Sequence, residues 1–100
     1  MKIYSIQIFA NEHAVPGNNV LIICDKFINE IKEMFSFLNC NTFFVNNNFN
    51  YGIDIVADKY LPFEDYTFDL VINLKDLFNH TELDRVLKTN GHKLNYFNYF

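Results

Sequence analysis

Two uninterrupted apolar runs constrain this chain most: Val20-Leu21-Ile22-Ile23-Cys24, ending at Asp25, and residues 68–73, apolar almost throughout. A strand with one wet face alternates apolar and polar residues. A run without alternation is covered on both faces, as happens in a parallel sheet flanked by helices. Pro16-Gly17-Asn18-Asn19 precedes the first run and marks a turn, because Pro presets φ while Gly and Asn accept positive φ.

The remaining elements follow from periodicity. Residues 2–9 predict a strand, with Ile6 and Ile8 on one face by the two-residue period, broken over residues 11–19. Residues 26–38 predict a helix, since Phe27, Ile28, Ile31, Met34, Phe35 and Leu38 recur at three- and four-residue intervals. Asp25 is placed to cap it, and Glu30 and Glu33 fall on its solvated side. Residues 42–45 form a short strand candidate, Asn46-Asn47-Asn48 a loop, and residues 53–57 another strand closing at Asp58, with Leu61-Pro62 ending any continuation. Helical spacing returns over residues 74–87 through Leu77, Phe78, Leu83 and Val86, with Thr81 and Asp84 restarting the helix as a capping-box variant. Asn90-Gly91 is expected to close that helix, and residues 92–100 to form a last short strand. Strands alternating with helices require crossovers, so the expected fold is a small α/β domain: a mainly parallel sheet with helices packed on it.

One hundred residues, half of them hydrophobic and eighteen aromatic, suit one domain over residues 1–100 with a real but modest core. Eight Lys and Arg, scattered singly against a net charge of −4, lack the cation cluster that a nucleic-acid footprint needs. A basic protein surface is the better match for such a balance. Cys24 and Cys40 sit outside any CxxC pattern and read as reduced, buried thiols. No segment approaches the ~20 apolar residues of a membrane span, and no basic leader precedes an apolar run, so the expected location is cytoplasmic. Fifteen Asn among many Ile, Phe, Tyr and Lys reflect a composition bias of the kind an AT-rich coding genome produces.

Chemistry-bearing groupings are few. Glu12-His13, with His80 and His92, offer acid, base and metal-ligand types, but no pair has the i, i+4 spacing of a helical metal site. They read as surface loop residues. Glu64, Asp65 and Asp69 form an acidic group with a structural turn role. No G-x-S-x-G elbow and no glycine-rich turn followed by a P-loop lysine supports hydrolase or nucleotide-phosphate chemistry. The aromatic tail over residues 96–100 has no surrounding cations to favour base stacking, and is expected to complete a sheet or fill an interface.

Residues 53–94, IDIVADKYLPFEDYTFDLVINLKDLFNHTELDRVLKTNGHKL, resemble the second half of a class I S-adenosylmethionine-dependent methyltransferase. The matching features are a strand ending in acid, an LPF turn, a D-x-x-F-D-L-V strand, a helix and an R-V-L-K-x-x-G turn. The resemblance implies a truncated Rossmann-like methyltransferase fold. It places Asp58 at the adenine amino group, Asn73, Leu74 and Asp76 along the methyl-transfer cleft, and Arg85-Val86-Leu87-Lys88 with Gly91 in a structural helix and turn. Two registers fit the front of the chain. In one, residues 16–25 are the lead-in and first strand, with the glycine turn at residues 24–28. In the other, residues 2–9 are the first strand and Asp25 is the acid that grips the cofactor's ribose. In both, glycines are missing from the turn where a bare backbone must approach the cofactor.

The expected function is therefore a degenerate methyltransferase-like domain. It acts through protein–protein contacts as a scaffold, homodimer or modulator of a larger complex, and S-adenosylmethionine binds weakly or not at all. The second expectation is an active methyltransferase with Asp25 on ribose, Asp58 on adenine and Asn73 orienting the acceptor, since methyl transfer needs positioning more than acid–base groups. The third is a small acidic viral or mobile-element inhibitor that imitates nucleic acid.

Overall fold

The structure, a computed structural model, describes residues 2–98 and 100. Eight elements follow in chain order: α1 (Lys2–His13), β1 (Asn19–Ile23), α2 (Ile28–Phe37), β2 (Asn41–Asn46), β3 (Ile55–Val56), β4 (Phe68–Asn73), α3 (His80–Val86) and β5 (Leu87–Asn95). The five strands form one sheet in the order β3-β2-β1-β4-β5, and every neighbouring pair is parallel. That order gives the first five positions of the doubly wound nucleotide-binding arrangement. The fold is a small α/β domain of truncated Rossmann-like character.

The central position of β1 follows from its composition. Val20 and Ile22 are fully buried on the face covered by α1 and α2, and Leu21 and Ile23 on the face covered by α3 and the 57–78 segment. Each such side chain contributes about 1.5–3 kcal/mol by leaving water. Ile28, Ile31 and Phe35 carry α2 onto the first face. Its end is a left-handed Asn39, with Asn39 N–H donating to Ser36 and Cys40 N–H to Phe35, the bond pattern of a Schellman closure.

Several expectations are corrected. Residues 2–9 form the first part of helix α1, not a strand. Ile6 and Ala10 lie four residues apart and both are fully buried, with Ile3 and Phe9 packed beside them, so a helical stripe was present beneath the Ile6–Ile8 alternation. The register that makes residues 2–9 the first strand falls with it. Asp25 does not cap α2; Phe27 stands at the N-cap with φ 56°. The helix expected over 74–87 is confined to α3, because Leu74 N–H is still bonded to Ile23 of the sheet and Asn79, extended, is the N-cap. No restart at Thr81 is needed. Asn90-Gly91 lies inside β5, which follows α3 without a gap; the last strand expected over residues 92–100 is present, but it starts earlier, at Leu87, and ends at Asn95. Within that expected strand, Tyr99 lies outside the described residues.

Candidate functional site

The chain leaves β1 toward β2 on one side and reaches β4 on the other, so the direction of winding reverses between β1 and β4. In open α/β sheets the crevice outside the carboxyl ends of the strands at this reversal is where ligands bind. Here the strand ends are laced together: Leu74 N–H donates to Ile23 O at 2.9 Å, Tyr96 N–H to Asn73 O at 2.9 Å, and Ala57 N–H to Asn46 O at 3.0 Å.

Lys75 leaves the end of β4 and crosses this crevice. Its Nζ donates to Asn46 Oδ1 at 2.9 Å and Asn47 Oδ1 at 3.1 Å at the end of β2, and lies 3.3 Å from Asp25 Oδ2 beyond β1. An ammonium has three donors, and three acceptors surround this one. Asn46 and Asn73 are both 1 % exposed. Asn73 Nδ2 donates to Asn95 Oδ1 at 2.9 Å, while Asn73 Oδ1 is buried without a hydrogen-bond partner among the described residues.

The turn after β1, where a glycine is expected, is made by Phe27 in the left-handed region. An L side chain there costs about 1–3 kcal/mol. The Phe27 ring lies edge-on to Phe100, with centroids 5.7 Å apart. The chain thus makes a glycine's turn with a bulky, partly exposed aromatic residue.

The sequence-expected residues are dispersed around this core. Asp25 follows the first strand rather than the second and pairs with Lys75. Asn46-Asn47 occupy the second-strand end, the position of the ribose-gripping acid implied by the resemblance. Asp58 is exposed past β3, two strands from β1, about 10 Å at ordinary strand spacing. Leu74 is buried among α1 and α2 residues, and Asp76 is exposed. The residue that sequence reasoning missed is Lys75. Its signal was a lone cation directly after a fully buried strand, in a segment where neighbouring polar residues had been weighed.

Glu12, His13 and His92 are brought together, which sequence distance concealed. His13 stacks on His92 with centroids 4.0 Å apart and an interplanar angle of 20°, and Glu12 lies 3.8 Å away. Nearly parallel rings aim their nitrogens along their own planes, so their lone pairs do not converge. Among the described residues no group of three or more His, Cys, Asp or Glu is arranged to hold a metal ion. Asp69 accepts from Asn19 N–H and Lys88, and Asp65 pairs with Arg85, so these two acids act structurally. No helix among the described residues is long and apolar enough to cross a membrane.

A second feature lies on the opposite side of the turn. Between α1 and α2 runs a groove of about 670 Å³, with Ile3, Tyr4, Phe27, Met34 and Phe37 among its lining. Tyr4 is 64 % and Phe37 87 % exposed. Asp58 is not among the lining residues.

The chain matches no known protein family, no curated protein and no solved structure.

Two features of the strand ends bear on S-adenosylmethionine, the cofactor that the resemblance implies. A nucleoside needs bare backbone after β1 and free polar groups at the strand ends. This chain places an aromatic side chain at the first and the Lys75 bridge across the second, with Asn73 Oδ1 the one buried side-chain acceptor left unpartnered there among the described residues.

Proposed function

We propose that this Rossmann-like domain works through protein contacts, as a degenerate relative of the methyltransferases its second half resembles. Its strand-end crevice is held shut by its own side chains. The observation that carries this reading is the Lys75 bridge, which ties the ends of β1, β2 and β4 at the place where a cofactor would enter. Phe27 in the glycine turn adds to it. The exposed aromatics along α1 and α2 supply the apolar surface for a partner, since aromatic side chains are enriched in protein interfaces.

Thermal unfolding with S-adenosylmethionine tests the reading. A ligand at 100 times its Kd stabilises the native state by about 2.7 kcal/mol, roughly 10 °C or more for a domain of this size. At millimolar S-adenosylmethionine or S-adenosylhomocysteine the expected shift is under about 1 °C by the same relation. A saturable rise of several degrees, abolished by Asp58→Ala, would instead support an active methyltransferase.

A further inference from the structure

The groove between α1 and α2 has a direction and a sign. Phe27 and Phe37, its extremes on α2, are ten residues apart, about 15 Å along a helix axis and close to three turns. Glu30 and Glu33 also line it, and no cation lines it among the described residues. Helix α1 keeps apolar side chains in water beside those that meet the sheet: Ile6 and Ala10 are fully buried, while Tyr4 and Ile8 are exposed.

Resting on the protein-contact reading above, we propose that this groove docks an amphipathic helix of a basic partner, with three turns of apolar anchors in the trough and Lys or Arg beside Glu30 and Glu33. Helix-in-groove recognition uses anchors at i, i+3 or i+4, and i+7, and the trough is long enough for that set. Charge complementarity selects the partner. A second copy of this chain seated on the same patch across a two-fold axis would oppose like carboxylates, which disfavours the isologous dimer.

The test uses the full chain and two dye-labelled 18-residue synthetic helices with the same leucine stripe, one flanked by Lys and the other by Glu, followed by fluorescence anisotropy. The Lys-flanked peptide is expected to bind at least about tenfold more tightly at low salt, with the ratio shrinking as salt screens the rim. Glu30→Lys with Glu33→Lys should reverse the preference, and Tyr4→Ala with Phe37→Ala should abolish binding of both peptides. All four residues are exposed or partly exposed, so circular dichroism and melting temperature are expected to stay near wild type and to verify folding of each variant.

Equal binding, or preference for the Glu-flanked peptide, overturns the basic partner while leaving a protein-contact role standing. Binding unaffected by Tyr4→Ala with Phe37→Ala overturns the groove as the site. Concentration-dependent self-association lost in Phe37→Ala would make a second copy the occupant and overturn the proposal. No binding of either peptide at millimolar concentration, together with a large thermal shift by S-adenosylmethionine, removes both this proposal and the reading beneath it.

Discussion

Gly91 is held to hydrogen by its neighbours rather than by its backbone angle. A Cβ there would sit 2.5 Å from Leu87 Cδ1 and 2.8 Å from the Asp69 carbonyl, where β5 slips in register against β4. Backbone cannot move aside as a side-chain end can, so Gly91→Ala is expected to cost about 1–3 kcal/mol, the range of overpacking. Urea unfolding measures this, and an unchanged midpoint would contradict the close approach. Gly17 has a different constraint, a φ of 89° in the turn before β1. The two thiols also differ. Burial pushes the Cys24 thiol up to about 12, and raises Cys40, which is only partly buried. Since the thiolate is the reactive form, Cys40 should react with a disulfide reagent at pH 8 and Cys24 only after unfolding. Two thiols released at one rate from the native protein would be inconsistent with this burial.

At the scale of elements, α3 is tied to the turn before β4 by one guanidinium. Arg85 donates to the carbonyls of Phe63 and Leu61 and to the carboxylates of Asp65 and Glu82. The hydrogen bonds from Arg85 hold the Glu82 carboxyl below its usual range, with Leu61 N–H adding to the effect, while Glu82 and Asp65 raise Arg85. A carboxylate with a lowered folded-state pKa stabilises the fold above its unfolded value, near 4.3, and loses that contribution as pH falls through the folded value. Glu82→Gln should therefore cost on the order of 1 kcal/mol at pH 7. Its deficit against wild type should narrow below about pH 4.3, as chemical unfolding across pH would record. A deficit constant from pH 7 to 3 would separate Glu82 from that titration.

The elements also differ in how plainly the sequence declares them. Strands β1 and β4 were legible because burial on both faces leaves few polar positions, and α2 because its stripe is long and its outer face charged. Helix α1 was misread because Ile3, Ile6 and Ile8 favour extended chain locally, while the packing of Ile6 and Ala10 against the sheet decides otherwise. The start of strand β5 was hidden by Asn90-Gly91, a helix-stop signal whose glycine serves close strand packing instead. The site was least legible. Asp25, Asn46, Asn47 and Lys75 form no local motif and meet only through the sheet order.

For the whole molecule, the consequence is a Rossmann-like topology whose strand-end edge is bridged by Lys75 and whose α1/α2 groove is exposed. The strand order delivers three carboxyl ends to one place, and Lys75 spans them through two hydrogen bonds and an ion pair. Phe27 belongs to both regions, making the turn beside the crevice and lining the α1/α2 groove. The most direct measurement is an amide NMR titration of the uniformly 15N-labelled chain with S-adenosylhomocysteine to millimolar concentration. The expected spectrum leaves the amides of residues 24–28, 46–48 and 73–75 unmoved. Saturable shifts confined to those three segments would mean that the Lys75 bridge opens to admit a nucleoside, and that the strand ends still hold a cofactor.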